Sequence, residues 1–279
     1  MSLRFLRSLA DWFQELATRL NLDLEKLLGM RYIICLVSLF IWLFPAQSQV
    51  YLKAGLGLTN SNLQKESELG KKYAEGRAWN MQLEIFKKVE ENVYFQTGIR
   101  KSSYAGIRNG YQPIPHALYK NLVPANFGLL YGDVKEVLRA DYLEVPVLIR
   151  FVGGKKLQYF VNMGPSLNWT IDAMRKAKGN TRLYYDELLQ TQVKGFGTND
   201  ENFLFNVDGK KKVRKEMQNF MLGFRGGWGF AYPLASGLIC VENSLFVGYM
   251  PMELQEGWDG RHVPSSWDIN VGYIINLKK

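Results

Sequence analysis

Apolar and polar residues alternate in eight short stretches along the chain: Val50–Thr59, Ala78–Phe86, Val93–Arg100, Tyr142–Val152, Leu157–Trp169, Asn219–Tyr232, Gly237–Tyr249 and Trp267–Lys278. In the second, Trp79, Met81, Leu83 and Ile85 alternate with Asn80, Gln82 and Glu84; in the eighth, Ile269, Val271, Tyr273 and Ile275 alternate with Asn270, Gly272 and Asn276. A period of two is the signature of a strand with one apolar and one polar face. The connections alternate in length. Lys87–Asn92, Gly153–Lys156 and Pro233–Ser236 are short; Asn60–Arg77, Lys101–Ala140, Thr170–Gln218 and Met250–Ser266 are long. Tight turns at one end and long connections at the other characterise an up-and-down barrel. The predicted fold is all-β: an eight-stranded antiparallel transmembrane β-barrel with short periplasmic turns and long extracellular loops.

Alternation alone does not say which face is outside. Two features place the apolar face outward. Gly55, Gly57, Gly98, Gly164, Gly223, Gly227, Gly229, Gly248 and Gly272 all fall on the polar face, where small residues suit a crowded lumen. Aromatics on the apolar face gather at strand ends: Trp79, Trp169, Tyr249 and Trp267 beside the long loops, and Phe151, Tyr159, Phe230 and Tyr232 beside the short turns, with Trp228 added to this membrane-interface girdle. Two such belts mark two membrane interfaces. Asn243 interrupts the apolar face of the seventh stretch and predicts a bulge. Pro146, which has no N–H to give the ladder, predicts a bulge or weakened pairing.

From Met30 the chain reads as a secretory signal. Arg31 is the charged start, the apolar run Tyr32–Phe44 follows, and Ala46-Gln47-Ser48 is the small-residue cleavage site before Gln49. The run is shorter than the ~20 residues a membrane-spanning helix needs. Residues 1–29 carry Leu6, Leu9, Phe13, Leu16 and Leu20 at helical spacing, which fits either an amphipathic surface helix or a start codon assigned too early. The predicted organisation is an N-terminal extension (1–29), a signal peptide (30–48) and a barrel (49–279) in a bacterial outer membrane. Cleavage would lower the formal charge only from +9 to +8 and leave Cys240 as the one cysteine, which excludes an internal disulfide and a cysteine metal site. No apolar run after residue 48 is long enough to be a membrane helix, so a membrane protein here must be a closed barrel.

Tyr142-Leu-Glu-Val-Pro-Val-Leu-Ile-Arg150, followed after a short turn by Gly164-Pro-Ser-Leu-Asn168, resembles the PorT-like outer-membrane β-barrel family of Bacteroidetes. Val93-Tyr-Phe-Gln-Thr-Gly-Ile-Arg100 looks like that family's third strand, and the resemblance covers about residues 49–279. It implies an eight-stranded outer-membrane barrel. The family takes its name from a member needed for secretion of proteins to the cell surface.

Eight strands enclose a lumen wide enough only for side chains. The inward positions include Lys53, Glu84, Arg100, Glu144, Arg150, Arg225 and Glu242, a near-balanced set that predicts a structural ion-pair plug, with a proton or ion path as the sharper alternative. Lys210, Lys211, Lys212, Arg214 and Lys215 form a basic run in the third long loop: a solvated loop, or a site for the phosphates of lipopolysaccharide or another anionic surface partner. Nucleic acid is not a plausible partner at a cell surface. Two histidines, His116 and His262, lie in long loops with Ser102, Ser103, Ser265 and Ser266 nearby, but no spacing or nucleophile elbow fixes a hydrolase. The expected protein is therefore non-enzymatic and without cofactor. It would contact outer-membrane lipids and bind through its loops, or serve a secretion or surface protein partner. The alternatives are a purely structural envelope protein and a loop-based lipid hydrolase.

Overall fold

A computed structural model describes residues 49–65, 73–115, 129–186, 188–193, 204–254 and 261–277. The extension, the signal sequence and His116 lie outside the described residues. The strands are β1 (Val50–Lys65), β2 (Ala74–Glu90), β3 (Val93–Arg108), β4 (Tyr111–Pro115), β5 (Leu129–Asp133), β6 (Lys135–Gly153), β7 (Gln158–Thr181), β8 (Leu183–Tyr184), β9 (Phe205–Lys212), β10 (Phe220–Leu234), β11 (Gly237–Gly248) and β12 (His262–Asn276).

Eight of these form the wall. The order β10-β11-β12-β1-β2-β3-β6-β7 closes on itself through antiparallel pairing of β7 with β10. Closure leaves no strand edge unsatisfied around the ring. The hairpin turns at one end are tight. Ala235 and Ser236 join β10 to β11 with Ala235 at φ 54°, and Gly154, at φ 87°, supplies the left-handed position between β6 and β7.

The wall strands run well past the predicted ends at the long-connection end. Much of what reads in sequence as loop is strand: β6 begins at Lys135, seven residues before Tyr142, and β7 ends at Thr181, twelve residues after Trp169. There β7 exchanges partners. Its lower half pairs with β10 as far as Trp169–Phe220, and its upper half pairs with β9 from Met174–Lys212 to Thr181–Phe205. A short 3₁₀ turn, Arg214–Glu216, connects the two partners. The basic run is thus not a loop, as the sequence suggested, but the end of β9 and this turn. A small sheet, β4-β5-β8, completes the extension.

The sense of the alternation inverts along the wall. In the lower part the outward residues are apolar (Leu83, Ile149, Val161, Val241, Val271) and the inward ones polar (Gln82, Glu84, Arg150, Asn162, Glu242, Asn270). Above Tyr142 on β6 the outward residues are Asp141, Arg139, Val137 and Lys135, three of four charged, and the inward residues Leu138 and Ala140 are fully buried. On β9, Phe205 and Val207 are buried while Asp208, Lys210 and Lys212 are exposed. The switch on β7 lies just past Trp169, where a bulge shifts the register opposite Asp141 and Tyr142.

Two local expectations fared differently. No bulge forms at Asn243: β11 keeps continuous register with both neighbours, and the Asn243 Oδ1 instead accepts a hydrogen bond from the Trp267 indole N–H. A polar group on an outward face needs a partner more than a new register, and the tryptophan on the adjacent strand provides one. At Pro146 the β3–β6 ladder skips from Thr97–Val147 to Arg100–Glu144 while the register is kept, so the pairing weakens without a bulge.

Candidate functional site: a filled lumen and a basic outer face

Each of the eight wall strands aims polar side chains at the axis of the lower barrel, and these join into one network. The Lys53 ammonium contacts Glu84 at 3.0 Å and also Glu242. Arg100 reaches Glu84 at 3.8 Å and Asp268 at 3.4 Å. Arg225 grips Glu144 with two nitrogens, at 2.5 and 2.9 Å, and donates to Asp268 at 2.5 Å and Ser244 at 3.0 Å. Glu144 also accepts from Ser102 at 2.8 Å and Ser166 at 2.7 Å, and Glu242 from Asn162 at 2.9 Å. The chain of charges runs Glu242–Lys53–Glu84–Arg100–Asp268–Arg225–Glu144. Arg150 stands apart from it, its guanidinium 3.5 Å from the Phe160 ring centroid and 4.5 Å from that of Phe86.

All seven charges foreseen on the inward face are buried here. The sequence reading missed an eighth, Asp268. It shares the parity of Asn270 and Gly272, but it sits beside Trp267 at the end of the stretch, where the alternation had only begun. Asp268 makes the set four bases and four acids, and it bridges Arg100 to Arg225. Buried charges persist when paired and hydrogen-bonded.

Apolar layers close the network on both sides. Toward the short turns lie Phe86, Phe160, Ala231, Cys240 and Ile274; toward the long connections lie Leu63, Tyr104, Tyr142, Met217, Met221, Phe246 and Met252. Gly223 and Gly229 make room for the Phe246 and Phe160 rings, which a Cβ at either position would strike. Farther up, Ile114, Leu130, Val134, Leu183, Val193, Phe205 and Val207 give the extension its own core.

Polar clusters in the upper barrel fall in the stretches between the predicted strands. Glu136 accepts from Tyr73 at 2.8 Å and Arg108 at 2.9 Å, with Arg175 at 3.4 Å. His262 is fully buried, its Nδ1 2.8 Å from Glu253. Of the serines named for a hydrolase, Ser102 donates to Glu144, Ser103 to Asp141 at 2.6 Å and Ser265 to the Asn62 carbonyl at 3.4 Å, and Ser266 is buried. Among the described residues, no three His, Cys, Asp or Glu side chains are placed to share a metal ion.

The outer surface of the lower barrel is an apolar belt in which Val271, Val241 and Leu83 are each about half exposed, at 51, 49 and 48%. Trp79, Tyr249 and Trp267 stand exposed toward the long connections; Phe151, Tyr159, Phe230 and Tyr232 stand exposed toward the short turns. Trp228, also exposed, lies mid-strand with its ring edge against Phe230, and Trp169 is half-buried against Phe220. A soluble barrel would hold one sense of alternation throughout. Here apolar-out gives way to polar-out above Trp169, which requires a change of surrounding solvent from lipid to water. This is a membrane-spanning barrel.

Above the belt the outer wall is basic. Arg139, Met174 and Lys212 lie abreast on β6, β7 and β9; the next row is Val137, Lys176 and Lys210; the next is Lys135, Lys178 and Asp208. A groove of about 400 Å³ opens here, lined by Arg77, Arg139, Lys176, Asp141 and Asp172 together with Ile107, Val137 and Met174. Of the basic run, Lys210 and Lys212 join this face. Lys211 turns away to Glu216 at 2.6 Å, and Arg214 donates to Asn219 at 2.7 Å. Lys215 sits exposed in the 3₁₀ turn.

No family model matches the chain, and no curated protein matches it in sequence. Solved structures of similar shape include Ail, the attachment invasion locus protein of Yersinia pestis, in complex with the heparin analogue sucrose octasulfate: 10% identical, covering 81% of this chain and 99% of that one, with a TM-score of 0.33. Neisserial surface protein A (NspA) is 8% identical over 82% of this chain and 97% of that one, with a TM-score of 0.37. The outer membrane protein OprG from Pseudomonas aeruginosa is 9% identical over 83% and 97%, also at 0.37. The barrel closes through this chain's own pairing of β7 with β10.

Proposed function

We propose that the protein is a non-enzymatic outer-membrane barrel whose β-extension is a surface platform for binding, or which serves as an accessory part in secretion or envelope assembly. The filled lumen carries this reading. Seven linked charges and two apolar layers leave the tube no path, so the parts free to act are the outer face and the extension. In this reading the signal sequence is cleaved near Ser48–Gln49, the tight turns are periplasmic and the extension extracellular. A second reading, a purely structural envelope protein, draws on the same rigid plug and differs in having no partner.

Topology is tested by single cysteines, Cys240 being buried. Lys178→Cys should react with an impermeant maleimide on intact cells, and Glu91→Cys, in the β2–β3 turn, only after the outer membrane is permeabilised. The reverse pattern would invert the proposed orientation. In planar bilayers the purified barrel should give no steady single-channel conductance, because the linked charges and two apolar layers cross its lumen; regular unitary steps would refute the plug.

A further inference from the structure

We infer that the outward face of β6, β7 and β9 binds the phosphates of a phosphorylated glycolipid, of the lipopolysaccharide type, in the outer leaflet around the barrel. This rests on the reading of the chain as an outer-membrane barrel with the extension outside. It assigns the site to alternate residues on three strands rather than to the basic run.

Register supplies the first ground. Lys176 stands directly opposite Lys210, and Lys135 opposite Lys178. Like charges opposite one another on a sheet repel and destabilise it. Arg139 and Lys212 flank the same face one row below. The carboxylates present are Asp141, which holds Arg139 at 2.9 Å, Asp172 and Asp208, too few to neutralise it. An anion lying across the rows would relieve the repulsion.

Height supplies the second. Leu143 is the neighbour of Trp169, at the level where the outward surface stops being apolar. Arg139 lies four residues beyond it, about 13 Å along a strand at ~3.3 Å per residue, or about 10 Å in height at a tilt of about 40°. The Val137–Lys176–Lys210 row is about 15 Å up by the same reckoning. A phospholipid headgroup zone is only ~5–7 Å thick on each side. The basic rows begin above it, within reach of phosphorylated sugars anchored in the leaflet. The groove beside them mixes these charges with Ile107, Val137 and Met174, which suits an amphipathic ligand better than a free polyanion.

The test uses the full chain, folded and reconstituted in phosphatidylcholine nanodiscs, with fluorescent lipopolysaccharide as probe. One variant carries Lys176→Gln, Lys178→Gln, Lys210→Gln and Lys212→Gln. A control loses equal charge off the face: Lys211→Gln, Lys215→Gln, Lys155→Gln and Lys156→Gln. The face variant should bind at least tenfold more weakly with a flatter salt dependence, and the control within twofold of wild type. Should the fourfold variant fail to fold, Lys176→Gln with Lys210→Gln should still weaken binding about threefold. Equal losses in both variants, no loss in either, or equal affinity for dextran sulfate in solution would each overturn the inference. A wild-type chain that fractionates with soluble proteins would instead overturn the outer-membrane reading beneath it.

Discussion

Arg225→Met should unfold the barrel at a much lower urea concentration than wild type, with a stability loss of about 3–5 kcal/mol, the cost of breaking a buried ion pair by removing one partner. Among the described residues, Arg225 is the one whose side chain bonds both Glu144 and Asp268. Without it two buried carboxylates keep their serine donors, and Arg100, 3.4 Å from Asp268, is the remaining cation described beside them. Methionine fills much of the volume, so the loss reports charge rather than a cavity. The rescue separates the two further: adding Glu144→Gln and Asp268→Asn to the Arg225→Met background should recover most of the loss, because neutral amides carry no such desolvation penalty. The readout is the midpoint of reversible unfolding from lipid vesicles, with the slope unchanged. A shift under 1 kcal/mol would mean that water reaches these groups and the plug is not tight.

How much of this was legible in the sequence follows from where the surroundings change. In the bilayer the outward face is apolar and the polar residues point in, so Leu83, Val147 and Val271 declare their face, and Glu84, Arg225 and Glu242 theirs. Above Trp169 the code inverts, because outside is now water. Leu138 and Ala140 point in and Arg139 points out, and a pattern carried over from below reads such a stretch as loop. The bulge opposite Asp141 and Tyr142 hides the junction further by shifting parity on β7. The basic run was visible as composition, but which lysines share a face depended on β9 pairing with β7, a contact no local pattern announces. Asp268 is hidden for a smaller reason: a single inward carboxylate at the end of a predicted stretch has no neighbours to confirm its parity.

The inversion makes its own prediction. Val271→Arg should cost about 2–4 kcal/mol, the range for a cation facing lipid near the midplane of a barrel, while positions near the interface lose about 0–1. Val271 has Leu56 on one side and Val241 on the other, all outward and apolar, so nothing nearby can pair an arginine. Val241→Arg should behave alike. Asn180→Arg, on the outward face of β7 in the extension and exposed, should be neutral within about 0.5 kcal/mol, as for most surface changes. The contrast matters more than either value: the same substitution on the outer wall is costly below Trp169 and free above it. Folding into vesicles followed by urea titration measures both. If Val271→Arg proved as harmless as Asn180→Arg, water rather than acyl chains would surround the belt. The exposed leucines, valines and aromatics would then need a protein partner to cover them.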